Sequence, residues 1–306
     1  MLSIREYINR LRIVCVVLLQ RYFTWLPDKL YIQLRFRFKM GYSLDLKNPK
    51  TFSEKLQWLK LFDHRPEYTM MVDKHAVKEY VASTIGEEYI IPTFGIWERP
   101  EDIEWDVLPD KFVLKTTHGG GSKGVIICKD KSTFNREKAI SRLNESLKQD
   151  IYHTLKEWPY KNVPKRIIVE KYIEPYLDEK DLPDYKFFCF NGKPQYCQVI
   201  SGRETKKCID FFDRDWNHQP FHEPSNYPFA EIVPNKPRHL DKMWEAATKL
   251  AGEKAFSRID FYEVGDDIFF GEITFFPTSG MGGFSPKEYD TIIGEMISLP
   301  IEKHGI

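Results

Sequence analysis

A glycine-rich loop between two short apolar runs carries the residues best suited to bind phosphate. Lys115 follows the first run, 112–114. Three consecutive glycines (Gly119, Gly120 and Gly121) precede Lys123 and the second run, Val125–Cys128. Glycines lack the Cβ atoms that keep backbone amides away from a bound group, and freed amides together with lysines can surround an anion. The pattern predicts a strand–loop–strand flap that closes over nucleotide phosphates.

The loop differs from the two most common phosphate-binding turns. The order GxxxxGK[ST] is absent, and a predicted strand follows the glycines where a helix would be needed, which excludes both the P-loop and the Rossmann turn. By itself the segment also fits an ordinary hairpin loop. A phosphate site therefore requires matching partners elsewhere in the chain.

Two carboxylates near the C-terminus are candidate partners. Asp260 and Glu272 belong to the predicted strands 257–262 and 268–274, which turn at 265–267. Carboxylates held across a hairpin suit Mg²⁺, which takes one or two protein carboxylates together with substrate phosphates. The alternative is an acidic sheet edge that faces solvent. The apolar neighbours of Asp260, and of Glu272 on its C-terminal side, favour the metal site.

Length and composition bound the class of protein. With 306 residues, the chain is long enough for one or two closely packed domains. Its 45 basic and 45 acidic residues balance, which excludes a general affinity for nucleic acid. The five cysteines form no CxxC pair and no zinc spacing, so we expect buried thiols in a reducing cytosol.

Periodicity, capping signals and turn residues predict the elements that position these groups. Helices are predicted from the capping box Thr51-x-x-Glu54 to Phe62 and at about 67–82, 132–148 and 240–250, with Asp73 and Lys74 early in the second. Strands are predicted at 89–94, 166–173, 185–190, 194–200 and 209–212, the third and fourth flanking Asn191-Gly192. The run 30–40 alternates apolar and basic residues and fits either a strand or a surface helix.

The N-terminal segment combines apolar and basic residues. Its apolar run, 13–19, follows three arginines, but no small-residue cleavage site follows and the run is shorter than the ~20 residues needed to span a bilayer. Apolar side chains share one helical face: Ile8, Leu11, Cys15, Leu18, Leu19 and Tyr22. Two interpretations remain open. The helix either docks on the protein's own core, or residues 1–25 make peripheral contact with an anionic membrane surface.

Six short motifs occur in an order that resembles the ATP-grasp enzymes. They run from Lys74 to Pro286: Asp-Lys, Lys-x₃-GGGSKGV, VEKYIE, DYKF…NGK, RxDF and GExT. Within that superfamily the chain is most similar to the TupA-like branch, because the runs NPKTFSEKLQWLK and GEITFFPTSGMGGFSP look like signatures of that branch. Each motif alone is weakly specific, whereas six in the correct order are strongly so.

The resemblance implies an α+β, ATP-grasp fold, in which two α+β subdomains grip the nucleotide. Residues 1–66 would form a helical, basic N-terminal extension and 67–306 the ATP-grasp domain. Within that domain, the flap subdomain would span about 100–170 and the metal-binding subdomain about 171–300.

The resemblance also implies roles for individual residues. Lys74 and Lys115 would hold the α- and β-phosphates of ATP, and Lys186 would also reach the phosphates. The flap over the β- and γ-phosphates would consist of Gly119, Gly120, Gly121, Ser122 and Lys123. Adenine would lie against the strand end formed by Glu170, Lys171, Tyr172 and Ile173, with Glu174 or Asp178 on the ribose. Mg²⁺ would be held by Asp260 and Glu272, with Thr274 where the superfamily usually has asparagine, and Arg258 and Arg203 are candidates for the substrate carboxylate.

The activity implied is ATP-dependent carboxylate–amine ligation through an acyl-phosphate, on a carboxylated sugar or polymer in cell-surface polysaccharide biosynthesis. We expect a cytoplasmic protein, at the inner face of the membrane if its N-terminus binds lipid. One alternative is a glycosyltransferase that uses a nucleotide-sugar, with Asp213-Arg214-Asp215 as its metal motif. Another is a non-catalytic ATP-binding protein. Retention of the lysines, the glycines and both carboxylates argues against the latter.

Overall fold

The computed structural model describes residues 4–121, 124–175, 182–202, 206–223 and 227–301. Within these residues the chain forms nine α-helices and nine β-strands. The helices are α1 (Ile4–Tyr22), α2 (Asp28–Met40), α3 (Phe52–Phe62), α4 (Glu67–Val72), α5 (Val77–Ile85), α6 (Arg136–Leu147), α7 (Ile151–Leu155), α8 (Leu240–Ala251) and α9 (Tyr289–Glu295). The strands are β1 (Thr93–Trp97), β2 (Phe112–Thr116), β3 (Val125–Cys128), β4 (Ile167–Lys171), β5 (Asp184–Phe190), β6 (Lys193–Ser201), β7 (Cys208–Phe212), β8 (Phe256–Val264) and β9 (Asp267–Thr274).

The strands form two separate antiparallel sheets, and helices pack on each of them. The first sheet has the order β1-β4-β2-β3 and the second the order β7-β6-β5-β8-β9. The α+β class predicted from the sequence is therefore confirmed.

The first sheet carries its own small core. Its central strand β4 begins Ile-Ile-Val, and these three side chains are fully buried. Continuous apolar runs of this kind are expected where a strand is covered on both faces. Leu143 of α6 packs against the sheet in the same cluster, and Phe134 packs edge-on against Phe112 of β2. The predicted flap hairpin, β2–β3, is thus anchored by its own apolar layer.

The second sheet organises the larger core. All seven residues of β5 are buried, and α8 covers the sheet with a face that includes Met243, Ala247 and Leu250. The β5–β6 turn is the predicted Asn191-Gly192 pair, with φ of 48° and 81°. Positive φ at both central residues is what a type I′ hairpin turn requires.

Two predicted elements differ from the structure, and a third, which the sequence left open between strand and helix, is a helix. The helix predicted at 67–82 is broken into α4 and α5, since Asp73 turns its carboxylate back to accept the backbone N–H of His75 at 2.9 Å. The strand predicted at 89–94 is wrong at its start: a 3₁₀ turn occupies Glu87–Tyr89 and β1 begins at Thr93. The run 30–40 is helical, because Tyr31, Ile32, Arg35 and Phe36 recur at helical spacing and are all buried.

The N-terminal helices pack beside the second core. Tyr31, Ile32 and Phe36 of α2 form a third apolar cluster with Leu19 of α1 and Met281. Among the helices that the structure describes, none is both long enough and apolar enough to cross a membrane.

Candidate nucleotide and metal site

A cavity lies between the two sheets, and half of its lining residues are charged. The first sheet contributes Lys115 and Glu170, and the second contributes Phe270 and Gly271. The turn between α4 and α5 adds Lys74, α5 adds Lys78, and the approach to β1 adds Ile90 and Ile91. The glycine-rich hairpin and the carboxylate hairpin therefore open onto one cleft.

Glu170 is the central acid of this cleft. It lies on β4, is almost fully buried, and each carboxylate oxygen meets a different lysine: Lys78 at 2.5 Å and Lys115 at 2.6 Å. Burial raises the pKa of Glu170, but the two lysines outweigh it and lower the pKa below its usual range. The carboxylate is thus ionised and holds two cations at the wall of the cavity.

Lys74, in the turn between α4 and α5, forms hydrogen bonds with the glycine-rich loop and the residues before it. Its backbone N–H donates to Thr117 O at 3.1 Å, and its ammonium donates to the carbonyl of Gly119. The break between α4 and α5 makes this possible, and the ion pair of Asp73 with Arg166 at 2.7 Å holds the break in place. Burial lowers the pKa of Lys74, while the negative charge of Glu272 raises it. Lys74 therefore lies within electrostatic range of both hairpins.

Asp260 and Glu272 are direct cross-strand partners on β8 and β9. Arg258 joins them: its Nε lies 2.8 Å from Asp260 Oδ1 and its Nη2 3.0 Å from Glu272 Oε1. Lys186 on the adjacent strand β5 is the register partner of Asp260 and donates to its carboxylate. Lys186 also lies 3.1 Å from Asp184. The predicted metal and catalytic residues of the second sheet thus form one charge network, in which Asp260 and Lys186 are buried and Glu272 is partly exposed.

The donor set of this network fits Mg²⁺. Burial raises the pKa of Glu272, yet the charges of Lys74, Lys186 and Arg258 outweigh it and lower the pKa to about 2. Glu272 is therefore an ionised hard-oxygen donor, opposite a second carboxylate. Thr274 Oγ1 donates to Glu272 Oε1 at 3.2 Å. Thr274, which was predicted as a third metal ligand, therefore supports Glu272. Among the described residues no cluster of three or more His, Cys, Asp or Glu residues forms a metal site, and Mg²⁺ needs only one or two beside phosphate.

The other predicted site residues have different surroundings. Lys171 is exposed and its backbone N–H donates to Pro92 O at 2.9 Å, while Ile173 is half-buried. Glu174 is exposed and pairs with Lys111 at 2.8 Å. The predictions for Ser122, Lys123, Asp178 and Arg203 concern residues outside those that the structure describes.

The D-x-D sequence considered for a glycosyltransferase has a local structural role. Asp213 accepts the backbone N–H groups of Asp215 and Asn217 at 3.0 and 2.9 Å, and it also accepts from the Asn217 side chain. A carboxylate that closes its own turn in this way behaves as an Asx-type turn residue.

The sequence analysis did not identify Lys78, which joins Lys74 and Lys115 as the third lysine of the cleft. It lies four residues after Lys74, so a helical reading of the segment places both on one side. Its ammonium also donates to Ile91 O at 2.6 Å and to Thr93 Oγ1 at 2.7 Å. The spacing was visible in the sequence, but the partner Glu170 comes from a distant strand.

A strained loop directly after β9 was also missed. Thr278, Ser279 and Gly280 have φ of 49°, 57° and 65°, a left-handed run that non-glycine residues rarely adopt. Buried side chains of the N-terminal helices hold it: Lys60 donates to Ser279 O at 2.9 Å and Gln57 donates to Gly280 O at 2.9 Å. Side chains of α3 thus hold this loop next to the carboxylate hairpin.

Glu223 lies beneath the same loop and is almost fully buried. Burial raises its pKa to about 7, although a hydrogen bond with Thr278 and the charge of Arg258 lower it. A Cβ added to Gly282 would collide with its carboxylate, so a larger residue there would have to displace the Glu223 side chain. Glu223 is therefore a carboxyl group poised near neutrality beside the charge network.

A comparison with protein families gives a match to the family described as TupA-like ATPgrasp, over residues 54–298. This match covers well over half of the chain. A search among curated proteins returned no match.

Several solved structures are similar to the chain at low sequence identity. A D-alanine–D-alanine ligase from Bacillus anthracis complexed with ATP is 17% identical, covers 74% of this chain and gives a TM-score of 0.41; the chain spans 63% of that enzyme's length. A D-alanine–D-alanine ligase from Helicobacter pylori is 13% identical, with 80% and 69% of the two chains covered and a TM-score of 0.43. A RimK domain ATP-grasp protein from Sphaerobacter thermophilus DSM 20745 is 12% identical, with 75% and 69% covered and a TM-score of 0.42.

Proposed function

The chain belongs to the TupA-like ATP-grasp family, and we propose that it is an ATP-dependent ligase that joins a carboxylate to an amine. One observation carries the proposal. Lys74 contacts the glycine-rich loop and lies in the electrostatic field of Glu272, so the phosphate-binding and metal-binding groups face one cleft. This arrangement suits the transfer of a phosphoryl group and needs no nucleophilic side chain.

The residues of the first sheet would bind the nucleotide. Lys74 and Lys115 would meet the α- and β-phosphates, and Lys78, which shares Glu170 with Lys115, adds a third cation. The amides of Gly119, Gly120 and Gly121 would close over the more distal phosphates. Adenine would lie along the end of β4. Loop closure of this kind excludes water. This exclusion is needed because water would hydrolyse a reactive acyl-phosphate.

Asp260 and Glu272 would hold Mg²⁺, which supplies charge neutralisation on the phosphates. In the protein by itself Arg258 occupies both carboxylates. With these carboxylates engaged by the cation, Arg258 would be free to bind an incoming carboxylate. Its planar fork matches a carboxylate or an acyl-phosphate through two hydrogen bonds. Lys186 remains to balance Asp260.

The proposed chemistry proceeds in two steps. A substrate carboxylate oxygen attacks the γ-phosphorus of ATP, the bond to the β,γ-bridging oxygen breaks, and ADP leaves. An amine nitrogen then attacks the acyl carbon, phosphate departs, and the amide nitrogen loses one proton.

For the substrates we propose a uronic acid or another carboxylated sugar or polymer, and an amino compound, in cell-surface polysaccharide biosynthesis. The family resemblance supports this class.

The experiment that tests the function measures ADP and phosphate release from Mg²⁺-ATP. Purified protein is supplied with a panel of carboxylated sugars, each with and without amino acids and amino sugars. The proposal predicts release that requires both a carboxylate and an amine, together with a product of the mass expected for an amide. Hydrolysis of a nucleotide-sugar without ATP turnover would instead support the glycosyltransferase, and ATP binding without any turnover would support a non-catalytic protein.

A further inference from the structure

The solvent-facing side of α1 carries an apolar stripe that the rest of the described chain leaves uncovered. Five side chains at spacings of three or four residues are between 45% and 59% exposed: Tyr7, Leu11, Val14, Leu18 and Tyr22. This spacing places them on one helical face. Of the α1 side chains that the structure describes, only Leu19 is buried. Docking on the protein's own core therefore accounts for Leu19 and in part for the half-buried Cys15 and Val16, but not for the stripe.

The stripe continues into exposed aromatic residues just beyond the helix. Phe23 is 44% exposed and Trp25 is 71% exposed, and the Trp25 indole N–H donates to Tyr22 O at 3.0 Å. Singly exposed apolar residues are normal on a soluble surface, but a contiguous patch of this length is typical of an interaction site. Tryptophan and tyrosine are the side chains that prefer the boundary between water and lipid.

Charge distinguishes between the two candidate occupants of this surface. The first 40 residues contain eight lysines and arginines against two acidic residues, whereas the remaining 266 contain 37 against 43. Arg10 and Arg21 are exposed on the same helix. Two copies of the chain would bring two strongly positive segments together, which costs free energy, while an anionic surface would attract both.

We propose that α1 and the residues up to Trp25 bind the surface of an anionic lipid bilayer. The helix lies in the plane of the interface, with the stripe (Tyr7, Leu11, Val14, Leu18 and Tyr22) inserted among the acyl chains and the arginines at the phosphate groups. The proposal is independent of the proposed ligase activity, because the stripe shares no residue with the cleft.

The test uses the full chain and sedimentation with lipid vesicles. Vesicles of phosphatidylcholine mixed with phosphatidylglycerol are compared with vesicles of phosphatidylcholine alone. We expect binding to the anionic vesicles, with at least about tenfold weaker binding to the neutral ones and a similar loss at high salt. Val14→Asp with Leu18→Asp should weaken binding to anionic vesicles by about tenfold or more, since charged groups no longer insert.

Two further variants make the result specific. Val107→Asp with Ile232→Asp places the same charges at residues that are 71% and 87% exposed but remote in sequence from α1, and vesicle binding should be unchanged. Arg10→Gln with Arg21→Gln should weaken binding to anionic vesicles only. Melting temperatures of all variants should match the wild type, which separates a lost surface from a lost fold.

Three outcomes would overturn the proposal. The first is that the wild-type protein binds neither kind of vesicle, and the second is that it binds neutral and anionic vesicles equally. The third is a concentration-dependent dimer in light scattering that the Val14→Asp, Leu18→Asp variant abolishes, since the stripe would then pair with a second copy. ATP turnover in solution should be the same for wild type and that variant, so failure here leaves the ligase proposal untouched.

Discussion

Asp260 on β8 and Glu272 on β9 are register partners, and the guanidinium of Arg258 bridges them. Two carboxyl groups at this register are stabilised by the cations that surround them. The same cations define what each substitution in the network should do.

Replacing Glu272 with glutamine should reduce ATP turnover by about a hundredfold or more, because the amide carries no charge for the metal. The variant should still fold, since Thr274 and Arg258 can donate to the amide oxygen. Initial rates of ADP release at saturating Mg²⁺ measure the effect. Asp267→Asn on the exposed start of the same strand is the matched control and should keep wild-type rates. Turnover retained in Glu272→Gln would refute the metal assignment.

Replacing Lys115 with alanine should raise the KM for ATP by about tenfold to a hundredfold, since one charge-assisted contact to phosphate is lost. Glu170 keeps Lys78 as its partner, so the fold should persist. Isothermal titration with a nonhydrolysable ATP analogue separates binding from chemistry. Lys138→Ala on the exposed face of α6 provides the control, and equal affinities for the two variants would contradict the phosphate role.

Glu223 should make stability depend on pH between about 4.5 and 7. Its folded pKa is raised to about 7, so the folded state holds a proton that the unfolded state has already released across this window. Its contribution to stability is therefore greatest below the unfolded pKa and falls as pH rises to 7. Glu223→Gln removes this dependence and should gain stability over the wild type at pH 8 relative to pH 5. Urea titrations of both proteins at pH 5 and pH 8 measure the free energies of unfolding. The same change with pH in wild type and variant would contradict the raised pKa of Glu223.

Thr51→Ala should lower the free energy of unfolding by about 0.5–2 kcal/mol through loss of the α3 N-cap. Thr51 Oγ1 accepts the N–H of Glu54 at 3.1 Å and the Glu54 carboxylate accepts the N–H of Thr51 at 3.1 Å. Ser83→Ala, which removes an exposed hydroxyl of α5, is the control and should stay within a few tenths of a kcal/mol of wild type. Chemical denaturation followed by circular dichroism gives both values.

The features that the sequence predicts correctly each depend on a few residues that are close together in the chain. The capping box at Thr51, the Asn191-Gly192 turn and the hairpin strands β8 and β9 each depend on contacts between residues close in the chain, and all three occur in the structure. The order of ATP-grasp motifs likewise indicated the family, which the family match confirms.

The features that escaped prediction depend on contacts between distant residues. The helix break at Asp73 requires Arg166, 93 positions away, and the role of Lys78 requires Glu170. The left-handed run at Thr278 and Ser279 is held by Lys60 and Gln57, and no local sequence signal demands it. Local propensity would avoid that conformation in both residues, so only the tertiary partners explain it.

Glu170 has a further consequence for how tightly a nucleotide can bind. Its single negative charge is already shared between Lys78 and Lys115, as the single positive charge of Arg258 is shared between the two acids opposite. A triphosphate entering with its cation therefore exchanges one set of counterions for another, and only the difference between the two sets appears as affinity. We expect modest nucleotide affinity with weak dependence on ionic strength, and rapid product exchange, which favours repeated turnover over storage of the bound nucleotide.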